Sequence, residues 1–312
     1  MNRVFLTAIM LLLAEIAVGQ PRELLLERQF SAAFYNVENL YDTLRSSFYD
    51  DSAFTPSGRN RWTSERYVAK LGALGRVLDD LDADFVGLAE VENRQTVCDL
   101  ASALQEDYCF VHCTSSDRRG IDVALLYKAD RFEPVAVEQI DVGSSREVLH
   151  IGALWWGERF DILVWHAPSK LNRRSYRNRA LQALRLVADS LVGCGRQVVV
   201  MGDMNADSRE DEFVSAFGDG AYALPVDDGV QFGGSYFGDG RWQLFDRIIV
   251  DAATANVCAP LRGGVFVRGY MLSTHSAGTE NGSEGIPKRT YEGRNYVGGA
   301  SDHLPVFVFW RQ

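Results

Sequence analysis

The sequence predicts an α/β fold built on mixed β-sheets, and three observations carry that reading. Short apolar runs rich in β-branched and aromatic residues recur along the whole chain. Amphipathic helical stretches lie between some of these runs, while hairpin-like connections join others, so parallel and antiparallel neighbours must share a sheet. No internal repeat, low-complexity tract or proline-rich linker interrupts the chain after residue 20, so residues 20–312 read as one domain. With 312 residues, 46% apolar and 24% charged, the chain can bury a two-sheet core, which excludes a disordered protein.

Strands are expected at 30–34, 85–88, 123–127, 149–155, 160–165, 198–201, 245–250 and 304–309. Between the first two, Thr63 and Ser64 are candidate N-caps for a helix with Val68, Leu71, Leu74, Val77, Leu78 and Leu81 on one face. A shorter helix is expected over 95–104. The spacing predicts another over 175–192, with Leu181, Leu184, Val187, Ala188 and Leu191 as its buried stripe, stopping before Gly193. Ahead of all of them, residues 1–19 read as a signal peptide: Arg3, an apolar run from Val4 to Ala14, then Ala17 and Gly19 spaced like a cleavage site. About eleven apolar residues are too few to span a bilayer, and no later run approaches that length. An exported protein, periplasmic or extracellular and without a transmembrane segment, is the expectation.

Composition narrows the chemistry. Five cysteines are an odd count, so disulfides do not define this fold. Cys109 and Cys113 are left open between a bridge and buried thiols. Five histidines, at 112, 150, 166, 275 and 303, show no zinc-site spacing. A formal net charge of −10 means that the surface as a whole repels a polyanion, so nucleic acid must be drawn by a local basic patch or by bound metal.

Polar residues repeatedly sit where the apolar runs end or begin: Asn36 and Glu38, Glu90 and Glu92, His166, Asp203 and Asn205, Asp246, Asp302 and His303. Gly202 and its neighbours could be ordinary turn formers. In the functional reading Asp203 orients or deprotonates a water while Asn205 donates to a phosphate oxygen. Oxygen ligands from Glu90 and Asp302 suit a hard divalent cation such as Mg²⁺. Asp246 is placed to fix the tautomer of His303, and His166 is a second acid or base. Lys170, Arg173, Arg174, Arg177 and Arg179 crowd a helix start, where cations oppose the helix dipole, so phosphate binding explains them better than helix stability does. Arg289 and Arg294 form a smaller second patch.

Taken together, Phe34-Tyr35-Asn36-Val37-Glu38-Asn39, Gly87-Leu88-Ala89-Glu90-Val91-Glu92, Gly120-Ile121-Asp122-Val123, His166-Ala167-Pro168-Ser169, Gly202-Asp203-Met204-Asn205 and Ser301-Asp302-His303-Leu304-Pro305 resemble the endonuclease/exonuclease/phosphatase (deoxyribonuclease I-like) superfamily, and Phe54-Thr55-Pro56 with Arg61-Trp62-Thr63, and Arg289-Thr290-Tyr291, look like its exported bacterial branch. The resemblance implies a four-layer α/β sandwich, two mixed β-sheets face to face with helices outside. It also implies a divalent-metal-dependent phosphoesterase: a phosphodiesterase or endonuclease on nucleic acid, or a phosphatase or phospholipase on inositol phosphate, sugar phosphate or sphingomyelin. A non-catalytic binding protein on the same fold is the remaining alternative. Carried over, Glu90 is the principal metal ligand for Mg²⁺ or Mn²⁺, with Asn36 and Asp302 beside it. Asp203 and Asn205 prepare the water, Asp246 pairs with His303, and His166 binds phosphate or protonates the leaving oxygen. Asp122 orients His166, and no obligate protein partner is implied. Ala89 departs from the Gln common in the family.

Overall fold

The computed structural model describes residues 29–226, 233–273 and 285–311; the expected signal peptide and His275 lie outside them. Two six-stranded mixed sheets pack face to face. Sheet one runs β13 (Arg262–Val265), β16 (Val306–Arg311), β1 (Gln29–Leu40), β2 (Phe85–Val91), β4 (Asp122–Lys128), β3 (Tyr108–Cys113). Sheet two runs β5 (Phe132–Ile140), β6 (Val148–Trp155), β7 (Glu158–His166), β8 (Gln197–Asp203), β12 (Asp246–Asp251), β9 (Tyr222–Ala223). The hairpins β10 (Tyr236–Gly238) with β11 (Arg241–Gln243), and β14 (Tyr291–Glu292) with β15 (Asn295–Tyr296), stand apart.

Each sheet has one parallel pair at its centre, β1 with β2 and β7 with β8; the other pairings are antiparallel. A parallel pair needs a crossover, and here both are helices. Helix α1 (Ser64–Leu81) links β1 to β2, and α3 (Arg174–Gly193) links β7 to β8. The shorter helices are α2 (Arg94–Ser102), α4 (Asp211–Phe217) and α5 (Ala252–Val257). Thr63 caps α1 by accepting from the Arg66 amide, and Asn93 with Thr96 forms a capping box on α2. Stacking helices outside two sheets gives the four-layer sandwich expected.

Strand periodicity divides the core. Along β7, Ile162 and Val164 face the other sheet while Leu163 and Trp165 face α3; along β8, Val199 and Met201 face inward while Val198 and Val200 face Leu181, Leu184 and Ala188. Rings fill the inter-sheet layer: Trp155 meets Phe30, Phe85, Phe160 and Trp310 with centroids 4.7–5.1 Å apart. Asp84, fully buried beneath them, accepts from the indoles of Trp155 and Trp156 at 2.9 and 3.0 Å and pairs with Arg131 at 3.0 Å. Gly87 leaves room for the facing sheet, since a Cβ there would lie 2.6 Å from Met201 Sδ.

One expectation needs correcting, one strand was missed and one open question is settled. Val68 is exposed, and Lys70 takes its place on the buried face of α1 because that end of the helix meets polar groups rather than the apolar layer. Edge strand β5 escaped notice because most of it is solvent-exposed and carries Pro134, which an edge tolerates. Finally, Cys109 and Cys113 are free thiols; at roughly 3.3 Å per residue along β3 their Cα atoms are about 13 Å apart, beyond the reach of a disulfide.

Candidate active site

Topology brings the scattered polar residues to one rim. Asn36, Glu90, His166 and Asp203 all lie at or near the C-terminal ends of the four parallel strands β1, β2, β7 and β8. Antiparallel β12 starts at that same rim, with Asp246 in register with Asp203. β16 likewise starts beside Phe34, so Asp302 and His303, just before it, arrive there too. His166 is in register with Asp203 across the parallel pair. Gly202 is not a turn residue; it is the second-last residue of β8, where a Cβ would lie 2.0 Å from the Trp165 carbonyl oxygen. Only glycine lets β7 and β8 approach closely enough to set His166 and Asp203 side by side.

Asp203 Oδ2 is the hub. It accepts from Asn36 Nδ2 at 3.1 Å and lies 3.6 Å from His166 Nε2 and 3.9 Å from His303 Nε2, while Glu90 Oε1 is 3.9 Å from His166 Nε2. Asn205 donates from its backbone to Asp203 Oδ1 (2.9 Å) and from its side chain to the Ala167 carbonyl (3.1 Å). A cavity of about 340 Å³ is lined by Glu90, His166, Asp203, Asn205, Asp302 and His303. Glu38, Asn39, Glu90 and Asn205 all have left-handed backbones, φ 46–65°, three of them at bulges where β1 and β2 pair irregularly. Such conformations cost about 1–3 kcal/mol each and persist where surroundings enforce them, commonly at functional sites. The Glu90 side chain is held by the Asn39 amide, which donates to Oε2 at 2.9 Å.

The two imidazoles are pushed apart. Burial pushes His166 well below the usual imidazole range, and the charges of Arg146 and Arg119 push the same way, so it is neutral. Burial also disfavours charge on His303, but Asp246, hydrogen-bonded to Nδ1 at 2.7 Å, outweighs it with help from Asp203 and Asp302 and holds His303 well above that range. Desolvation raises Asp203 to about 6. Glu38 is raised to about 7, again by burial. Asp203, Asp246 and His303 each bring a ligand atom within 4.8 Å of the others, close enough to hold a metal ion.

Some expected partners lie elsewhere. Asp122 does not orient His166: it bonds His112 Nε2 at 2.9 Å and the Ser115 amide at 2.8 Å, and His166 Nδ1 has no hydrogen-bond partner among the described residues. The basic stretch splits up. Arg174 pairs with Asp211 (2.6 Å) and Glu212 (3.1 Å), and Arg177 with Glu212, so their charges anchor α3 to the first turn of α4, and neither is among the residues lining the cavity. Those carboxylates offset the opposed helix dipole, a compensation invisible to spacing within one helix. Arg173 is exposed at the start of α3. Lys170 does line the cavity, bonded to Glu210 and to Gln243 (3.1 Å). Arg289 approaches Asp302 at 3.8 Å. Sequence reasoning missed Arg119 and Arg146, which lie in loops without pattern, and Tyr236, whose ring lies 4.8 Å from His303. It also missed Lys70, whose buried ammonium donates to the Glu38 carbonyl (2.8 Å) and Thr290 Oγ1 (2.6 Å).

Comparison with known proteins identifies the family. The chain is 27% identical to a DNA-(apurinic or apyrimidinic site) endonuclease 2 of Bos taurus and 26% to that of Homo sapiens, each match covering 44% of this chain. It spans about a third of the length of those relatives (34% and 33%). Among solved structures, a mannosyl-6-phosphatase of Bacteroides thetaiotaomicron superposes with a TM-score of 0.59 at 17% identity, covering 89% of this chain and 98% of that one. TDP2 from Caenorhabditis elegans gives 0.59 at 15%, covering 91% and 75%. The family model described as Endonuclease/Exonuclease/phosphatase family matches residues 31–312, and the chain belongs to that family.

Proposed function

We propose that the protein is a divalent-metal-dependent phosphoester hydrolase, acting as a phosphodiesterase on nucleic acid. The observation that carries the reading is the clustering of two oppositely tuned imidazoles around one buried carboxylate, Asp203, in a cavity that also exposes Glu90 and Asp302. Environments that drive titratable groups apart assign acid and base.

The donor set fits a hard cation. Asn39 already holds Glu90 Oε2, leaving Oε1 toward the cavity, and Asp302 makes no hydrogen bond among the described residues. Oxygen donors of this kind suit Mg²⁺ or Mn²⁺, with Asn36 as a further ligand. Asp246 is fully buried with its Oδ2 committed to His303 and Ser235, so only its Oδ1, which has no hydrogen-bond partner among the described residues, is open to a cation. Bound there, the cation would polarise the phosphate.

The side chains account for the proton movements. Asp203, raised to about 6 by burial, is ionised near neutral pH and a stronger base than an ordinary carboxylate; it takes a proton from the attacking water. As the water oxygen bonds phosphorus, the ester P–O bond breaks and the leaving oxygen takes the proton that His303 holds. His166, neutral, donates a hydrogen bond to a phosphate oxygen, so of its two expected roles phosphate binding is kept and proton donation passes to His303. Arg146 and Lys170 add positive charge for the scissile phosphate. Residues 1–19 support a proposed place of action outside the cytoplasm.

Hydrolysis of DNA, RNA and bis(p-nitrophenyl) phosphate in Mg²⁺, Mn²⁺ and EDTA tests this. Metal-dependent cleavage of the diesters is expected. Activity indifferent to EDTA, or cleavage of sugar phosphate monoesters alone, would overturn the proposal.

A further inference from the structure

A second cavity, about 630 Å³, adjoins the catalytic one, and Asn39 and Arg119 line both. Its wall is a packed shelf. Phe54 stacks on Tyr41 with centroids 4.3 Å apart, and Trp62, fully buried, donates its indole N–H to the Tyr41 carbonyl at 2.8 Å. Tyr41 in turn donates its hydroxyl to the Arg119 carbonyl at 2.7 Å. The Arg119 guanidinium donates to Asn39 Oδ1 at 2.8 Å, and the Asn39 amide holds Glu90. Arg119 therefore stands between the two cavities, two hydrogen bonds from the proposed metal ligand.

The second cavity also carries Arg59, which is exposed and has no ion-pair or hydrogen-bond partner among the described residues. The cavity's one carboxylate, Asp50, has its charge met by Ser52 at 2.7 Å and Arg45 at 3.4 Å. Two guanidiniums on a preorganised wall, in a chain of net charge −10, form a local site for an anion. The scissile phosphate belongs beside Asp203 and His303, so the anion here is a different one.

We infer that this cavity seats the phosphate next to the scissile one on a nucleic-acid strand, gripped by Arg59 and Arg119. The inference rests on the phosphodiesterase reading and deepens it, because a second phosphate site on one side of the reacting group selects a polymer over a simple ester and sets the direction in which the strand lies.

The test compares kcat/KM for a dinucleoside monophosphate with that for the same compound carrying one added phosphate at its 5′ end or at its 3′ end. The native protein is expected to prefer one of the two phosphorylated forms by about tenfold, and Arg59→Gln to reduce that preference to below about threefold. Arg59 is exposed, so the variant should fold. No preference in the native protein, or an undiminished one in Arg59→Gln, overturns the inference while leaving the phosphodiesterase reading intact. Hydrolysis of none of the three overturns that reading, and the second phosphate site with it.

Discussion

Replacing Asp246 by Asn removes one charge from the buried side of the site while keeping the shape of the side chain. Asp246 is fully buried, and its Oδ2 lies 2.7 Å from His303 Nδ1. A hydrogen bond to a charged group contributes about 1.5–3 kcal/mol, and about 1.4 kcal/mol corresponds to one pKa unit or a tenfold change in rate. His303 should therefore lose about one to two pKa units. If its proton is spent in the transition state, kcat should fall about 10- to 100-fold with KM little changed. The sign of the pH effect follows: activity that needs protonated His303 is lost as pH rises through its folded-state pKa, so the falling limb moves to lower pH in the variant. NMR titration of His303 in the metal-free protein, beside steady-state hydrolysis and circular dichroism, reads all three quantities. A kcat within about threefold of native, or a large loss with the His303 titration unmoved, refutes the reasoning.

Other substitutions probe the scaffold and the electrostatics. Asp84→Ala leaves two indole N–H groups and Arg131 without their shared acceptor, so urea unfolding should show a loss of about 3–5 kcal/mol with kcat intact; a loss below about 1 kcal/mol contradicts the network. Gly202→Ala forces a Cβ against the Trp165 carbonyl and should cost at least about 1–3 kcal/mol and lower kcat as well, since His166 and Asp203 follow the strained positions; an unaltered melting temperature would rule out the close-approach argument. Burial raises Glu92 from 4.5 to about 8, helped by the charge of Asp42. Because the unfolded chain ionises Glu92 first, stability should decline as pH rises from about 4.5 to 8, and Glu92→Gln should flatten that decline in chelator-treated protein. An identical slope in both proteins would contradict it.

How much of this was legible in the sequence depends on the distance between partners. Strands carrying Asn36, Glu90, His166 and Asp203 at or near their C-terminal ends could be read directly, because an apolar run and the polar residue that follows it are neighbours in the chain, and parallel strands place their ends together. The two crossover helices were legible for the same local reason. Arg174 and Arg177 were misjudged because their carboxylate partners lie more than thirty residues away on α4. Asp122 was misjudged because His112, its actual partner, becomes a neighbour only when β3 pairs with β4. Lys70 defeated the hydrophobic pattern outright: a charged residue on a buried helix face is explained only by the Glu38 carbonyl and Thr290 that meet it. The opposite tuning of His166 and His303 likewise depends on burial and on charges gathered from separate strands.

The most direct test of convergence at a single rim is a double-mutant cycle between Asp203 and His303, which are 100 residues apart in sequence and 3.9 Å apart across the cavity. With Asp203→Ala, His303→Ala and the pair each shown to be folded, kcat for a phosphodiester should fall about 10²–10⁴-fold in either single variant and little further in the double, because a base and an acid that act in the same transition state fail together. Strictly multiplicative losses, or turnover retained in either single variant, would mean that these side chains do not work as one site.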